Sequence, residues 1–577
     1  MTMLTKWGAA LDRSCPLPEY PRPQLRRESF YNLNGIWDYA VTPSGDEPEV
    51  WDGEIVVPFS PEAPLSGAAR GPAKDEYLHY RRGFTLPEGF QQSRVLLHFG
   101  AVDQIAEVFV NGVSAAKHSG GYWPFSADIT SLLREGENIL RVTVRDNADD
   151  PTFAYGKQRY KRGGMWYTAQ SGIWQTVWLE SVPEVYVKSL RITPEFDEAR
   201  VRIELETALE SSAAITCDVR AADGSFVAGS WAKGGVCVVP LPGFRAWTPD
   251  DPYLYTLDIT CGEDHVESYF AMRKFSYVEL GGHKVFGLNN APLFHNGLLD
   301  QGYYPDGLLT PPSDEAMVND IETMKRCGFN MLRKHIKIEP LRWYYHCDRL
   351  GMIVWQDMVS GGQPYSFLHV SALPTLGKVD LPDQDAKPYG RSGVLSRARF
   401  RREMADTVRL LYNCPCIALW TVFNEGWGQF DALDMANELK KLDPTRFIDH
   451  ASGWQDQGYE EMKSRHIYFR PVKLKNDGRA LALTEYGGYI LAVDGHRWTD
   501  KVFGYRICRN SAALAHDYEK LMLGQVLPHI RKEGLTAAVY TQITDVEEEL
   551  NGLMTYDREV LKIPEETLRE INKQLKF

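Results

Sequence analysis

The sequence predicts a multidomain protein with an N-terminal β jelly-roll sandwich, an immunoglobulin-like β-sandwich and a C-terminal (β/α)8 TIM barrel. The chain has 577 residues, which at about 100–200 residues per domain is enough for about three to five domains. Strand-like runs fill its first half, and strands alternate with helices after about Val285. We therefore expect domains over residues 1–184, 185–274 and 275–577.

The first domain has the pattern of antiparallel β structure, because its apolar runs are short and rich in β-branched and aromatic residues. Asn111 and Gly112 directly follow one of these runs and supply the positive φ angles that a type I′ hairpin needs. Dense strands without a helical stripe between them are typical of a sandwich or jelly roll. The runs are Arg94–Phe99, Ile105–Val110, Asn138–Val144 and Trp174–Leu179.

The second domain continues with shorter alternating runs over roughly 90 residues, a length that fits a small immunoglobulin-like sandwich. Gly and Pro clusters separate the runs, as expected for turns. The clearest runs are Ala199–Leu205, Ala214–Val219 and Tyr253–Ile259.

The last domain has the strand and helix count of a (β/α)8 barrel. Ser313 can cap a helix that begins at Asp314, and the spacing of Phe400, Met404, Val408 and Leu411 predicts a second helix. The stretch Met358–Gly393 lacks periodicity and is expected to form a long loop that could wall the active face. The eight strand candidates begin near Leu293, Phe329, Met352, Ile417, Phe447, His466, Ala480 and Ala537.

Composition and charge exclude several classes of protein. The hydrophobic fraction of 44% and the charged fraction of 24% are typical of a soluble protein with buried cores and exclude a mainly disordered chain. A net charge of −13 argues against nucleic acid as a partner, because polyanion binding needs a basic surface. The sequence contains no signal peptide pattern and no apolar run long enough for a membrane span. We therefore expect a cytoplasmic protein without a membrane partner.

The cysteines do not form the pattern of a disulfide framework, because their number is odd and their spacing does not repeat. Cys414 and Cys416 are the only close pair, and we expect them to be buried thiols at the start of a strand. The nine are Cys15, Cys217, Cys237, Cys261, Cys327, Cys347, Cys414, Cys416 and Cys508.

Two glutamates lie where predicted barrel strands end. Glu425 follows the apolar run of the fourth strand candidate, and Glu485 follows that of the seventh. Catalytic groups of a barrel lie at the C-terminal ends of its strands. Two facing carboxylates with different surroundings are what the hydrolysis of a glycosidic bond requires. The alternative is that each glutamate is a strand-end charge paired with Arg or Lys, which is less probable for two such positions.

The motifs around these glutamates resemble the catalytic signatures of glycoside hydrolase family 2, which includes β-galactosidases, β-glucuronidases and β-mannosidases. They are Asn424-Glu425-Gly426-Trp427-Gly428-Gln429 and Thr484-Glu485-Tyr486-Gly487. The resemblance covers nearly the whole chain. Phe30–Trp37 and Val108–Gly112 look like the sugar-binding jelly roll, and Ser171–Glu180 looks like its exit. Gly328–Arg333 and Val539–Gln542 look like barrel strands two and eight.

The resemblance implies a retaining exo-β-glycosidase in which Glu425 is the general acid/base and Glu485 the nucleophile. Asp300 and Asp357 could fix loops or cap helices and not bind the sugar, and Trp427, Trp454 and Trp498 could fill the core and not line the sugar site. His335 lies one residue away from the family's usual spacing, and Phe469-Arg470 stands where relatives often carry proline. The resemblance also implies that Asn424 binds the hydroxyl next to the anomeric carbon, that Arg333 holds Glu485 ionised and that Tyr468 polarises Glu485, and it extends to His335 and Trp498. Asp300, Asp357, Trp427 and Trp454 are candidates by their positions in the sequence. We expect these nine residues to form the substrate-binding site.

The identity of the sugar follows less directly from the sequence. β-Glucuronidases of the family bind the substrate carboxylate with an Asn-x-Lys motif beyond the nucleophile, and Asn572-Lys573 has the wrong spacing. The basic residues of Arg333–Lys337 could bind a uronate, but pairing with nearby acids is more probable. We expect a β-galactosidase first, a galacturonide- or glucuronide-specific enzyme second, and a non-catalytic carbohydrate-binding protein last. No metal or other cofactor is expected, and a homodimer or homotetramer is plausible for the family.

Overall fold

The computed structural model describes residues 3–209, 214–376 and 380–577, so that residues 377–379 of the predicted loop lie outside the described residues. The first domain is a sandwich of a four-stranded sheet, β1-β14-β5-β9, and a six-stranded sheet, β3-β2-β4-β10-β7-β8. Its strands are β1 (Phe30–Asn32), β2 (Gly35–Thr42), β3 (Gly53–Val57), β4 (Tyr77–Thr85), β5 (Arg94–Phe99), β6 (Val102–Asp103), β7 (Ile105–Val110), β8 (Val113–Ser119), β9 (Phe125–Asp128), β10 (Glu137–Arg145), β11 (Gln158–Arg159), β12 (Tyr167–Thr168), β13 (Gly172–Ile173) and β14 (Val177–Val182).

Apolar side chains of alternate strand residues fill the space between the two sheets, among them Trp37, Tyr80 and Leu97. Asn111 and Gly112 join β7 to β8 with φ angles of 52° and 84°, as the hairpin prediction requires. β14 begins at Val177, so that the predicted run starting at Trp174 places this strand three residues too early. Trp174 is fully buried in the core that the jelly roll shares with the barrel.

The second domain is a smaller sandwich of three strands, β15-β16-β19, against four, β18-β17-β20-β21. Its core contains three of the cysteines, and all nine cysteines are free thiols, of which only Cys15 is exposed. Cys414 and Cys416 are buried just before a barrel strand, as predicted. The strands are β15 (Val187–Glu195), β16 (Arg200–Thr207), β17 (Ile215–Arg220), β18 (Phe226–Trp231), β19 (Val236–Pro240), β20 (Tyr255–Cys261) and β21 (Asp264–Phe270).

The third domain is a barrel of eight parallel strands, hydrogen-bonded throughout except between β29 and β30. A hairpin, β22 with β23, covers the N-terminal end of the barrel, and its Phe286 stacks on Phe447 at 4.2 Å. The remaining strands are β22 (Phe275–Leu280), β23 (His283–Leu288), β24 (Ala291–Pro292), β25 (His295–Asp300), β26 (Met331–Lys334), β27 (Ile353–Asp357), β28 (Ile417–Thr421), β29 (Phe447–Asp449), β30 (Met462–Ile467), β31 (Ala480–Gly487), β32 (Tyr489–Ile490), β33 (Arg506–Ile507) and β34 (Leu535–Thr541).

The helices confirm both sequence predictions. Ser313 caps α2 by accepting a hydrogen bond from the Ala316 N–H at 3.2 Å, and the predicted apolar stripe is the buried face of α5. No helix in the described part of the chain combines the length and hydropathy that crossing a bilayer requires. The helices are α1 (Lys6–Ala9), α2 (Asp314–Arg326), α3 (Leu341–Leu350), α4 (Leu373–Thr375), α5 (Val394–Leu411), α6 (Ala432–Leu442), α7 (Ser511–Leu521), α8 (Leu527–Glu533) and α9 (Glu565–Asn572).

The barrel departs from the predicted pattern around its fifth and sixth strands. β30 begins at Met462 rather than near His466, and the segments after β29 and β30, which the structure describes completely, contain no helix. Side-chain hydrogen bonds connect the two strands instead. Ser464 donates to Asp449 at 2.9 Å and to the Ala451 carbonyl at 3.0 Å.

Candidate active site

Two different backbone conformations bring Glu425 and Glu485 to the C-terminal end of the barrel. Glu485 lies within β31, shortly before its end at Gly487. Glu425 lies beyond β28, so the expectation that it directly ends this strand is wrong. Its φ of 55° is in the left-handed region, which non-glycine residues rarely adopt outside turns and functional sites. The Glu425 N–H donates to the Ser452 carbonyl at 2.9 Å, which fixes this turn.

The two carboxylates face each other across one cleft. One oxygen of Glu425, one oxygen of Glu485 and one ring nitrogen of His466 all lie within 4.8 Å of one another. The His466 Nδ1 lies 2.8 Å from Glu425 Oε1 and 3.6 Å from Glu485 Oε2. Carboxyl groups about 5–5.5 Å apart are typical of retaining glycosidases, whereas inverting enzymes separate them by about 6.5–9.5 Å.

Glu485 is enclosed by hydrogen-bond donors. Arg333 Nη1 donates to Glu485 Oε1 at 3.1 Å, and the Tyr468 hydroxyl donates to Oε2. Tyr468 itself stacks on Tyr505 with a centroid distance of 3.8 Å. Burial raises the pKa of Glu485 above its ordinary value and the neighbouring Glu425 adds to this effect, while His466, Arg333 and the Tyr468 hydroxyl offset part of the rise. These contacts stabilise the ionised form of a carboxylate that burial alone would neutralise.

Glu425 has fewer charged contacts and lies closer to solvent, with 22% of its side chain exposed. Burial raises the pKa of Glu425 to about 7, and only Lys157 and Arg333 counteract this effect. A carboxyl group with this pKa is protonated in a large share of molecules near neutral pH. It can therefore donate a proton and later accept one.

Arg333 connects the residues beneath the two glutamates. Its guanidinium donates to both oxygens of Asp357, at 3.0 and 3.1 Å, and to Asn424 Oδ1 at 2.8 Å. His335 Nδ1 lies 2.8 Å from Asp357 Oδ2. Burial would raise the pKa of Asp357, but Arg333 and His335 lower it to about 2. Burial lowers the pKa of His335 to about 3, so its ring is neutral.

This network contains two of the residues expected at the sugar site. Arg333 and Asp357 are 0% and 1% exposed, and their polar atoms are occupied by each other and by neighbouring side chains. The contact of Arg333 with Glu485 at 3.1 Å is the ion pair expected of this arginine. Asn424 lies between this network and the cleft, so that its amide group can meet a hydroxyl.

The two lysines of the Arg333–Lys337 segment, Lys334 and Lys337, are paired with acids. This pairing is the more probable of the two interpretations of the basic segment. Lys334 binds Asp300 at 2.6 Å and Glu339 at 2.8 Å, and Lys337 binds Glu339 at 2.8 Å. Asp300 also accepts the Gly302 N–H at 2.9 Å, which is the loop-fixing role considered as its alternative. This cluster has no cation left over for a substrate.

The predicted aromatic contacts occupy three different positions. Trp427 is buried against Trp166 at a centroid distance of 5.1 Å, which favours packing over sugar stacking. Trp454 is half-buried and donates to the Glu425 carbonyl at 2.8 Å, so that it supports the turn carrying the acid. Trp498 lies further out on the rim, half-buried beneath Arg162 at 4.4 Å.

Two segments wall the cleft. The loop predicted over Met358–Gly393 packs against the turn after β28. In this contact the Gly428 N–H donates to the Tyr389 carbonyl at 2.8 Å. The second segment, which we call the jelly-roll loop (residues 153–168), comes from the first domain. Its Tyr155 and Gly156 N–H groups donate to the Ser360 carbonyl at 3.1 and 2.9 Å. The first domain therefore contributes directly to the barrel opening.

Sequence models of one family match all three domains. The sugar-binding domain model of glycosyl hydrolases family 2 matches residues 64–183, a second model of the family matches 185–273, and its TIM barrel model matches 311–474. The chain belongs to glycoside hydrolase family 2. It has the sugar-binding, immunoglobulin-like and barrel domains of that family.

Relatives of this family 2 hydrolase have two different names. A β-galactosidase of Thermoanaerobacter pseudethanolicus is 25% identical over 387 residues, which are 64% of this chain and 47% of the relative. The human β-glucuronidase is 23% identical over 510 residues, covering 78% of this chain and 73% of the relative. The chain spans about half the length of the β-galactosidases that it matches.

Solved structures of similar fold cover almost the entire hydrolase. A β-glucuronidase from an uncultured Clostridium species has a TM-score of 0.74 at 19% identity and covers 95% of this chain and 98% of its own. The β-glucuronidase of Dictyoglomus thermophilum has a TM-score of 0.73 at 18% identity, with coverage of 96% and 99%. These likenesses establish the shared domain architecture.

Sequence reasoning missed three residues of the site. His466 was considered only as the start of a strand, although strand periodicity places it on the same face as Tyr468, two residues further on. Tyr505 lies in a long connection without a motif. Lys157 comes from the first domain, and nothing in its local sequence connects it with the barrel.

The arrangement of side chains at the site also bears on metal binding. In the described part of the chain, Glu425, His466 and Glu485 form the one group of three His, Cys, Asp or Glu side chains placed so that they could hold an ion. They are also the central residues of the cleft. The expectation that the hydrolase needs no metal stays a prediction.

Proposed function

We propose that this protein is a retaining exo-β-glycosidase that acts by double displacement, with Glu425 as general acid/base and Glu485 as nucleophile. The observation that carries the proposal is the short separation of the two carboxylates, with oxygens within 4.8 Å. Their different surroundings support the same division of roles. Glu485 is held by Arg333 and Tyr468, whereas burial raises the pKa of Glu425 to about 7.

In the first step the Glu425 carboxyl group donates its proton to the glycosidic oxygen as the bond from this oxygen to the anomeric carbon breaks. The Glu485 carboxylate attacks the anomeric carbon from the opposite face and forms a glycosyl ester. The Arg333 guanidinium 3.1 Å from Glu485 Oε1 keeps the nucleophile ionised before attack. Asn424 is placed to bind the hydroxyl next to the anomeric carbon.

In the second step the Glu425 carboxylate accepts a proton from a water molecule, and the water oxygen attacks the anomeric carbon. The ester bond to Glu485 breaks, and the sugar leaves with its original anomeric configuration. A group with a pKa of about 7 suits both steps, because it exchanges protons in both directions near neutral pH.

Two glycones are candidates. The sequence favours a neutral β-galactoside, and relatives named β-galactosidase support it. A specific observation favours a β-uronide as the second candidate. The Lys157 ammonium is near enough to Glu425 to lower its pKa but forms no ion pair with any described acid, and relatives named β-glucuronidase accord with this candidate.

A panel of 4-nitrophenyl β-glycosides, comprising galactoside, glucoside, mannoside, glucuronide and galacturonide, tests the proposal. We expect turnover of at least one of them by the wild type and loss of turnover in Glu485→Ala. Proton NMR of the first-formed sugar should show the β anomer. Release of the α anomer would contradict the nucleophile assignment, and a folded wild type that cleaves no glycoside of the panel would contradict the proposed function.

A further inference from the structure

Lys157 on the jelly-roll loop has a largely buried side chain at the opening of the barrel. The residue is 9% exposed. Its carbonyl accepts the Tyr167 N–H at 2.9 Å, and the two residues before it bind the Ser360 carbonyl. The position of Lys157 relative to the cleft is therefore fixed by backbone contacts on both sides.

Glycine at position 156 allows this close approach. Gly156 has a φ of 64°, and a Cβ there would lie 2.8 Å from the Tyr122 hydroxyl and 3.0 Å from the Ile336 carbonyl. Any larger residue would push the loop away from the segment that follows β26. The loop is thus built to bring the next residue, Lys157, to the barrel.

The Lys157 ammonium has no ion pair and no hydrogen bond to any residue in the described part of the chain. Its Nζ lies 5.7 Å from the centroid of the Trp166 ring. Other buried lysines of this protein are paired, as Lys334 is with Asp300 at 2.6 Å and Lys562 with Asp545 at 2.6 Å. The Lys157 side chain is largely enclosed, whereas its unpaired ammonium group is not among the buried atoms and stays open to a charged ligand.

The acids that face Lys157 do not pair with it. Lys157 is near enough to Glu425 and Glu549 to lower the pKa of each. Glu549, however, accepts the Tyr167 hydroxyl and the Asn551 amide at 3.1 Å. Glu425 is bound by His466 at 2.8 Å. Both acids are thus engaged elsewhere, and neither forms an ion pair with the ammonium group.

A second cation of the same loop stands beside it. Arg159 also lies over the Trp166 ring, with its guanidinium carbon 4.2 Å from the ring centroid. Its buried Nε has no hydrogen-bond partner among the described residues, and no described acid forms an ion pair with it. Two unpaired cations that share one indole ring make this wall of the cleft attractive to an anion.

We infer that Lys157 binds a carboxylate group of the substrate, as a β-linked uronide would present. This inference rests on the proposed glycosidase function. A carboxylate matches one ammonium in charge, whereas a doubly charged phosphate would be repelled by the neighbouring Glu425 and Glu549. The family's Asn-x-Lys motif is missing from the barrel sequence, and the first domain supplies the cation instead.

The test compares kcat/KM for three substrates that differ in the place of the carboxylate: 4-nitrophenyl β-D-galacturonide, 4-nitrophenyl β-D-galactoside and 4-carboxyphenyl β-D-galactoside. For Lys157→Met we expect a loss of about 100-fold on the galacturonide, at least about 10-fold larger than the loss on the nitrophenyl galactoside, which reports the effect of Lys157 on Glu425. Lys157→Arg should restore part of the loss. Lys161→Met, an exposed lysine of the same loop, is the matched control and should change neither value.

Each other outcome decides a different point. A selective loss on the carboxyphenyl galactoside would keep Lys157 as the carboxylate-binding residue and locate the carboxylate on the leaving group. Equal losses on all three substrates would overturn the inference, because Lys157 would then act only through Glu425. Turnover of the nitrophenyl galactoside alone by the wild type would overturn the inference and leave the proposed function intact.

A measurement on the wild type keeps the inference testable if Lys157→Met does not fold. D-Glucaro-1,4-lactone and D-glucono-1,4-lactone are inhibitors of similar shape that differ in a carboxylate. We expect the charged lactone to inhibit with a constant at least about 10-fold lower. Equal inhibition constants would contradict a cation dedicated to the sugar carboxylate.

Discussion

The two sides of the cleft differ in how tightly their carboxylates are held. On the barrel side, Glu485 lies in a strand and receives hydrogen bonds from Arg333 and Tyr468. On the other side, Glu425 lies on a left-handed turn, is 22% exposed, and faces a loop of a different domain. The first arrangement stabilises a negative charge, and the second allows a proton to come and go. The difference between nucleophile and acid/base thus arises from surroundings, since both residues are glutamates.

The largest expected effect comes from Glu485→Gln, which keeps the volume of the side chain and removes the nucleophilic oxygen. We expect kcat on a 4-nitrophenyl glycoside to fall by roughly 10⁴- to 10⁶-fold, because the covalent step is lost. Glu460→Gln, at an exposed position, is the matched control. Residual activity within about 10-fold of the wild type would mean that Glu485 is not the nucleophile.

Replacement of Glu425 should have an effect that depends on the leaving group. In Glu425→Ala we expect a loss of about 10²- to 10⁴-fold on alkyl glycosides and a much smaller loss on 2,4-dinitrophenyl glycosides, whose aglycones need little protonation. In the wild type, kcat/KM should fall as the pH rises through about 7, because Glu425 then loses its proton. This alkaline limb should be missing in the variant. Equal losses on both classes of aglycone would contradict the assignment.

Tyr468→Phe tests the hydrogen bonding on the Glu485 side. The variant keeps the stacking on Tyr505, at 3.8 Å in the wild type, and removes only the hydroxyl. A hydrogen bond to a charged group contributes about 1.5–3 kcal/mol, so we expect a decrease in kcat of roughly 10- to 100-fold. The pKa of Glu485 should rise without this donor, and the acid limb of kcat/KM should move to higher pH. An unchanged acid limb would show that Arg333 alone keeps Glu485 ionised.

The sequence predicted the residues that the barrel contributes to both sides of the cleft better than the loop that the first domain contributes. Asn424, Glu425 and Glu485 lie in contiguous motifs, and Tyr468 is close to a strand end, so local sequence is enough to find them. The sequence does not indicate the role of His466, because β30, from Met462 to Ile467, contains four consecutive polar residues and does not resemble an apolar run. The start of this strand was misplaced for the same reason.

Lys157 illustrates a second limit. Its position in the cleft depends on how the first domain docks against the barrel, through contacts such as those of Gly156 with Ser360. No periodicity or spacing within one segment encodes a contact between domains that are far apart in the chain. The sequence did predict the general architecture, because strand and helix periodicities are local properties. The ion pairs of the basic residues in Arg333–Lys337 also followed from ordinary charge pairing.

The smallest expected effect concerns stability rather than rate. In the folded protein the pKa of Glu425 is raised to about 7, above its ordinary value of 4.5, so the native state binds this proton more tightly than the unfolded chain does. Stability therefore falls as the pH rises from about 4.5 to 7, and the full penalty is present above pH 7. Glu425→Gln cannot ionise and avoids this penalty.

We accordingly expect Glu425→Gln to exceed the wild type in free energy of unfolding by about 1–3 kcal/mol at pH 8, with little difference at pH 4. Urea unfolding at the two pH values, followed by tryptophan fluorescence, measures this difference, and Glu460→Gln again serves as control. The same replacement on the Glu485 side should give a smaller gain, because Arg333 and Tyr468 would lose the charged partner that offsets part of the raised pKa of Glu485. Equal stability changes for the Glu425 and Glu485 variants would mean that the two sides of the cleft treat a negative charge alike.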